Sequence, residues 1–116
     1  MKHVHDKSSE TVVYIRSNSV ESLNLQQLRS KEYADQQSLS INIIVDTNTS
    51  GLSSLFERPG MGRLLQMVKD KEINTIIVDT LCRVSRDAYQ LLLFTHFLKG
   101  NHIKLVVLDG GVEDDN

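Results

Sequence analysis

Cysteine and long apolar runs are the first things this chain lacks. Its single cysteine, Cys82, cannot close a disulfide within the chain, so the sequence predicts a protein of a reducing compartment, the cytoplasm. The longest apolar runs span only a few residues, and no basic segment followed by an apolar one opens the chain. We therefore expect neither a membrane-spanning helix nor a secretion signal.

Positive charge is also scarce for a protein that would hold nucleic acid by bulk attraction. The 116 residues carry 13 lysines and arginines against 15 acidic residues, a formal charge of −2. Non-specific binding to nucleic acid neutralises several phosphates with basic side chains. Any contact with DNA must therefore be local or supplied by another segment. The length itself predicts a single domain with one apolar core.

Several ligand-binding signatures are missing as well. The chain has no G-x-G-x-x-G or G-x-x-x-x-G-K-[ST] motif, which disfavours binding of dinucleotides, flavins and nucleotides. A phosphoacceptor domain needs clustered acids after its first strand, where this chain has Arg16, Ser17 and Asn18. His3 and His5 have no cysteine or acidic cluster nearby, so we predict no metal site.

What is present is a regular alternation of strand and helix patterns. Runs rich in β-branched residues predict four strands, at residues 11–16, 41–46, 74–79 and 102–108. Apolar residues at helical spacing predict three helices, at residues 21–37, 59–71 and 85–99. Such alternation builds βαβ units, so the predicted fold class is α/β with a parallel sheet and right-handed crossovers. Residues 1–10 are predicted to be a flexible N-terminal arm, and residues 112–116 an acidic tail.

The apolar spacing also predicts which helix faces are buried. In the first helix these residues are Leu23, Leu25, Leu28, Tyr33 and Ala34. In the third helix they are Leu91, Leu92, Phe94 and Leu98, with Gly100 as the stop. Pro59 suits the first turn of the second helix.

Four arginines stand in or just after the loops that follow the predicted strands: Arg16, Arg58, Arg83 and Arg86. The carboxyl ends of parallel strands share one edge of the sheet, where ligands bind in open α/β folds. Arg83 and Arg86, three residues apart on a starting helix, would lie on one side of it. Converging guanidinium groups suit a phosphodiester, because each binds phosphate oxygens through two hydrogen bonds. A single arginine is more often a solvated surface charge.

Hydroxyl groups accompany these arginines. Ser17, Ser19 and Ser50 occupy the same loops, where serines commonly cap helices. Beside several guanidinium groups, a serine hydroxyl could instead act as the nucleophile of phosphoryl transfer while the cations stabilise charge on the phosphate. The residues alone leave both interpretations open.

Five segments taken together carry a family resemblance: YIRSNS, LNLQQL, VDTNTSG, ERPGMGRLL and LCRVSRD. They resemble the amino-terminal catalytic domain of the serine recombinases, the resolvase/invertase family, over about residues 11–111. The resemblance implies a three-layer, flavodoxin-like fold, a four-stranded parallel sheet with helices on both faces. It also implies a site-specific DNA recombinase that works without metal or cofactor. In that family a serine after the first strand attacks a DNA phosphodiester, which forms a 5′-phosphoserine link and frees a 3′-hydroxyl, and subunits of a tetramer then exchange strands.

The resemblance also assigns roles to residues of this chain. The catalytic arginines would be Arg16, Arg58, Arg83 and Arg86, and the supporting residues Gln26, Asp46, Ser50 and Gly51. The nucleophile's position falls on Asn18 when counted forward from Tyr14 and Arg16. Counted backward from Leu23 and Gln26, it falls on Ser17, our predicted nucleophile. A carboxamide cannot attack a phosphate, so the Asn18 register predicts a relative without chemistry.

Two further features depart from the family pattern. Cys82 stands where the family has an acid before the first arginine of its Leu-Asp-Arg motif. We predict a neutral replacement or core filler; the alternative is a reactive thiol beside Arg83. The chain also stops soon after the fourth strand, without the long dimerisation helix or a DNA-binding segment, so we expect no recombination by this polypeptide alone. The competing hypothesis is an inactive, stand-alone regulatory protein that pairs with DNA, a second copy or a recombinase, with no membrane partner.

Overall fold

Residues 10–109 are the part of the chain that the computed structural model describes. The predicted arm and acidic tail lie outside these residues, apart from Glu10. Within them the elements follow in the order β1 (Thr11–Ser17), α1 (Val20–Gln36), β2 (Asn42–Thr47), α2 (Pro59–Lys69), β3 (Thr75–Val78), α3 (Leu81–Val84), α4 (Ala88–Gly100) and β4 (Lys104–Val107). A single 3₁₀ turn, Leu55–Glu57, precedes α2. No helix in this range is long and apolar enough to cross a membrane.

The four strands form one parallel sheet in the order β2-β1-β3-β4. This order, with the first strand inside the sheet, is the flavodoxin-like arrangement that was predicted. Arg16 pairs with Asp46 and Ser17 with Thr47 across β1 and β2. The last residues of these strands therefore lie side by side at the carboxyl edge of the sheet.

Alternation along β1 divides the core between the two faces of the sheet. Val12 and Tyr14 belong to the larger cluster, which includes residues of α2 and α4. Val13 and Ile15 belong to a smaller cluster, against which Leu23 of α1 packs. Helices thus cover both faces, which confirms the three-layer prediction.

The buried face of α1 differs from the predicted apolar face. Its buried residues are Gln26, Ser30 and Ala34, whereas Leu25 and Leu28 are 43% and 55% exposed. The inward positions recur at the spacing of a helix face but carry polar side chains. Gln26 is turned inward because its amide donates to the carbonyl oxygen of Arg16 at 2.9 Å.

The predicted third helix, residues 85–99, corresponds to α4, and the short helix α3 that precedes it was not predicted; residues 85–87 separate the two helices. Asp87 caps α4, because its carboxylate accepts hydrogen bonds from the backbone N–H of Tyr89 and Gln90. The predicted placement of Arg83 and Arg86 on one starting helix is therefore wrong: Arg83 lies in α3 and Arg86 in the break.

The buried face of α4 is also narrower than predicted. Phe94 and Leu98 are buried, and Leu91 packs partly against the larger cluster. Leu92, however, is 62% exposed, so its predicted burial is wrong. Gly100 belongs to the last turn of the helix, and Asn101 follows as the cap.

Candidate functional site

A cleft of about 260 Å³ opens at the carboxyl edge of the sheet, between the start of α1 and the α3 region. Its lining residues are Arg16, Asn18, Ser19, Ser22, Cys82, Arg83 and Arg86. Three of the four predicted arginines therefore share one cavity. We refer to this cavity as the arginine cleft.

Arg16 forms the floor of the arginine cleft and is only 5% exposed. All of its donor nitrogens face backbone carbonyls: Nε donates to Arg83 at 3.2 Å, Nη1 to Thr49 at 2.8 Å and Nη2 to Cys82 at 3.0 Å. It therefore ties β1 to the loop after β2 and to α3. Burial lowers the pKa of Arg16, and the charges of Arg58, Arg83 and Arg86 lower it further.

Arg58 lies behind the cleft and is 3% exposed. Its Nη1 donates to the carbonyl oxygen of Val84 at 2.5 Å and to the Tyr14 hydroxyl at 3.2 Å. Its Nε and Nη2 donate to Ser53 and, at 3.5 Å, to the carbonyl oxygen of Ser50. Arg58 thus joins β1, α3 and the loop before α2, and every part of its guanidinium group is engaged.

Asp46, at the end of β2, binds both Tyr14 of β1 and the first turn of α2. Its carboxylate accepts hydrogen bonds from the Tyr14 hydroxyl at 2.7 Å and from the backbone N–H of Gly60 at 2.7 Å and Met61 at 3.0 Å. The last two bonds place a carboxylate at the positive N-terminus of α2. A Cβ at Gly60 would lie 2.8 Å from both Asp46 oxygens. Burial raises the pKa of Tyr14, so its hydroxyl remains a donor.

Arg83 and Arg86 form the rim of the arginine cleft. The side chain of Arg83 is 26% exposed, and its Nε lies 3.7 Å from Oδ2 of Asp79. Arg86 is exposed, and among residues 10–109 its guanidinium group makes no hydrogen bond or ion pair. A Cβ at Gly51 would lie 2.5 Å from Cδ of Arg86 and 3.0 Å from Nη2 of Arg16. The missing side chain at Gly51 therefore makes room for Arg86 beside Arg16.

Ser50 shapes the loop that carries Gly51. Its Oγ accepts a hydrogen bond from the backbone N–H of Leu52 at 3.0 Å. Its carbonyl oxygen accepts from the Ser53 hydroxyl at 2.6 Å. Ser50 therefore closes a turn, and the backbone N–H of Arg86 donates to the carbonyl oxygen of Gly51 at 2.9 Å.

Ser17 and Asn18 take different positions at the end of β1. Ser17 is 2% exposed, and its hydroxyl donates to the carbonyl oxygen of Ser19 at 2.5 Å while accepting from the N–H of Ser19 at 3.1 Å. Asn18 and Ser19 are exposed and line the arginine cleft, whereas Ser17 lines a neighbouring depression with Leu23. Strand alternation contained this signal, because Ser17 shares the face of Val13 and Ile15 while Arg16 shares the opposite one.

Ser19 caps α1, because its Oγ accepts a hydrogen bond from the backbone N–H of Ser22 at 3.1 Å. Gln26 holds the end of β1 from below through the carbonyl oxygen of Arg16. Cys82 is exposed, so its predicted role as core filler is wrong. Within the described part of the chain, no group of three or more potential ligands could hold a metal ion.

The sequence reasoning missed Asp79. Its side chain is 2% exposed and accepts a hydrogen bond from Nη1 of Arg29 at 2.8 Å. An acidic residue directly after a buried strand was the available signal, whereas Asp46 was assigned from the family resemblance. The partner Arg29 lies 50 residues earlier in α1, so no local pattern connects the two.

The protein-family comparison settles which family this arrangement belongs to. The model of the resolvase N-terminal domain matches residues 11–116, nearly the whole chain. The chain belongs to the resolvase family. The predicted resemblance to serine recombinases is thereby confirmed. A search of curated proteins finds no match.

Solved structures of other proteins share the fold. The N-terminal catalytic domain of TP901-1 integrase is 27% identical with a TM-score of 0.77, over 86% of this chain and 77% of that one. A resolvase family site-specific recombinase from Streptococcus pneumoniae is 21% identical with a TM-score of 0.72, over 89% and 74%. The C-terminal catalytic domain of ISC1926 TnpA, an IS607-like serine recombinase, is 20% identical with a TM-score of 0.74, over 84% and 66%. The last two likenesses concern the fold alone.

Proposed function

We propose that this resolvase-family domain acts on DNA by binding one phosphodiester of the backbone in the arginine cleft. The observation that carries the proposal is the excess of positive charge at the cleft. Arg16, Arg58, Arg83 and Arg86 lie close enough for the charges of the other three to lower the pKa of Arg16. Asp79 is the one carboxylate of the described residues that lies within ion-pair distance of any of the four. An anion bound there would relieve the mutual repulsion.

The four arginines divide the work of binding. Arg16 and Arg58 already donate hydrogen bonds to carbonyl and hydroxyl oxygens of the protein. They therefore contribute mainly positive charge to binding of the phosphodiester. The terminal nitrogens of Arg83 and Arg86 make no hydrogen bond within residues 10–109, so they can donate to phosphate oxygens. This local site is consistent with a chain whose overall charge is −2, because it depends on convergence and not on net charge.

We further propose that the domain in this conformation binds DNA without cutting it, as a regulatory or interaction member of the family. Asn18 lines the cleft, and a carboxamide cannot serve as the nucleophile. The hydroxyl of Ser17 is buried and engaged with Ser19. A second copy of the chain or a recombinase in the cytoplasm would be its protein partner.

The second candidate function is strand transfer with Ser17 as the nucleophile. It is favoured by the local character of the bonds that hold Ser17, since both go to Ser19, two residues away. A rotation within residues 17–19 would release the hydroxyl. Its Oγ would then bond to phosphorus, and the bond from phosphorus to the 3′ oxygen would break. The products are a 5′-phosphoserine link and a 3′-hydroxyl, which takes up the proton.

Two measurements on the full chain test these functions. Fluorescence anisotropy of a short labelled duplex, titrated at several salt concentrations, is expected to show binding that weakens as salt rises. Binding that ignores salt contradicts the phosphodiester site. A denaturing gel after incubation with nicked duplex then looks for a covalent adduct. We expect none; an adduct that Ser17→Ala abolishes and Ser19→Ala preserves would establish the second candidate instead.

A further inference from the structure

The buried carboxylate of Asp79 lies beside Arg83, one of the residues that line the arginine cleft. Asp79 follows β3, and its Oδ1 accepts the 2.8 Å hydrogen bond from Arg29 of α1. Its other oxygen, Oδ2, lies 3.7 Å from Nε of Arg83. A carboxylate that is 2% exposed needs compensating partners, and Asp79 has a guanidinium group on each side.

Arg83 depends on Asp79 for its acidic partner. Cys82, its neighbour in the chain, is exposed and has no carboxylate. Asp87 caps α4, and Asp109 lies 3.9 Å from Arg29. Among residues 10–109, Asp79 is the acid within ion-pair distance of Arg83.

The geometry of the pair leaves the outer edge of Arg83 available. Its Nε is buried and has no hydrogen-bond partner within the described residues, so the attraction of Asp79 acts on this inner edge. Arginine carries its other four N–H donors on the two terminal nitrogens. With Nε held toward Asp79, the end edge of the planar group, formed by the two terminal nitrogens, faces a different direction, and an oxyanion there can accept from both.

We propose that Asp79 is the positioning residue for Arg83. It attracts the Nε edge of the guanidinium group and thereby presents the terminal nitrogens to the phosphodiester in the arginine cleft. The proposal rests on the proposed function, because the phosphodiester is the group toward which Arg83 is turned.

The first test observes Arg83 directly by ¹⁵N-edited NMR of the full chain and needs no DNA. We expect the Nε–H signal of Arg83 to be protected from exchange with water in the wild type and to lose that protection in Asp79→Asn. The double variant Asp79→Asn/Cys82→Asp returns a carboxylate beside Arg83, and we expect it to restore the protection. Rapid exchange in the wild type overturns the proposal without any variant, so it remains testable if Asp79→Asn does not fold.

The second test uses the sign of a change in DNA affinity. Asp79→Asn makes the domain more positive by one charge, so bulk attraction alone would tighten binding of the labelled duplex. A positioning role predicts weaker binding, about fivefold, because a charge-assisted contact loses its alignment. Asp109→Asn is the matched control, since it makes the same charge change without contacting Arg83, and we expect it not to weaken binding. The Cys82→Asp change is expected to recover affinity in the Asp79→Asn background.

The outcomes separate this proposal from the proposed function. If the wild type does not bind the duplex, the proposed function fails, while the Nε–H signal still decides whether Asp79 holds Arg83. If the wild type binds and Asp79→Asn binds equally well or better, the positioning role is overturned and the DNA site stands.

Discussion

The inner and the rim arginines of the cleft are the same residue type in two different roles. Arg16 and Arg58 are 5% and 3% exposed, and their guanidinium groups donate to carbonyl oxygens of α3 and of the loop after β2. Arg83 and Arg86 reach solvent, and the described residues give their terminal nitrogens no partner. The difference shows that one cationic cluster can both hold three chain segments together and leave donors for a ligand.

Substitutions of the inner arginines and of the rim arginines should therefore have different effects. Changes at the inner pair should lower the free energy of unfolding, because each removes several buried hydrogen bonds at once. Changes at the rim pair should lower DNA affinity and leave folding nearly untouched.

Arg58→Met should have the largest effect, a loss of about 3 kcal/mol in the free energy of unfolding, because buried carbonyl oxygens lose their donor. Urea denaturation followed by circular dichroism measures it. Arg63→Met, at an exposed arginine of α2, is the matched control and should change stability by less than about 0.5 kcal/mol. Equal effects at the two positions would show that the hydrogen bonds of Arg58 do not stabilise the folded state.

Arg86→Gln should weaken binding of the labelled duplex about tenfold and reduce the slope of log affinity against log salt by about 1, the loss of one phosphate contact. Its free energy of unfolding should match that of the wild type. Arg63→Gln makes the same charge change away from the cleft. If this control weakens binding as much as Arg86→Gln does, net charge and not the cleft governs the affinity.

Tyr14→Phe should cost about 1 kcal/mol near neutral pH, because the hydroxyl joins Asp46 to Arg58. Burial raises the pKa of Tyr14 in the folded state, so the folded protein holds this proton more tightly than the unfolded chain. The advantage of tyrosine is therefore complete below about pH 10 and declines as the pH rises further. Urea denaturation on both sides of that pH compares the variant with the wild type.

The control for this pH dependence is Tyr89→Phe, since the Tyr89 side chain is 67% exposed. Its stability difference from the wild type should stay constant over the same range. An equally constant difference for Tyr14→Phe would show that the hydroxyl of Tyr14 does not stabilise the fold by joining Asp46 to Arg58.

Gly51→Ala should have the smallest of these effects, a loss of about threefold in DNA affinity, or about 0.7 kcal/mol. The new methyl group would lie 2.5 Å from Cδ of Arg86, so it displaces an exposed side chain of the rim. Gly62→Ala has no atom within 4 Å of the added carbon, and it should stabilise α2 slightly while leaving affinity unchanged. A large loss of stability in Gly51→Ala would show that the methyl group also disturbs Arg16 of the inner pair, whose Nη2 would lie 3.0 Å from the added carbon.

Local patterns were sufficient to predict the sheet, its helices and the group of arginines at its carboxyl edge. β-branched runs and helical spacing involve residues that are close together in the chain, so they can be recognised in a single sequence. The break at Ser85–Asp87 was missed because its serine and aspartate also suit a helix start. The polar underside of α1 was missed because an apolar face was assumed.

The bonding of the site residues could not be predicted in the same way. Arg29 and Asp79 are 50 residues apart, and Arg58 reaches Tyr14 across 44. These contacts exist only after the crossovers have brought the loops together. The role of Ser17 stays a prediction, since its hydroxyl engages Ser19 while Asn18 lines the cleft.

The side of α1 that faces the sheet bears on how easily this helix opens. Gln26 and Ser30 are buried there, and the Oε1 of the first and the Oγ of the second find no partner among the described residues. Within residues 10–109, the apolar cluster beneath this helix has three fully buried members, Val13, Ile15 and Ile77. Local opening takes the least free energy where buried apolar contact is sparse. We therefore expect helix α1 to open first in native-state hydrogen exchange, together with Ser19 and Ser22 of the arginine cleft.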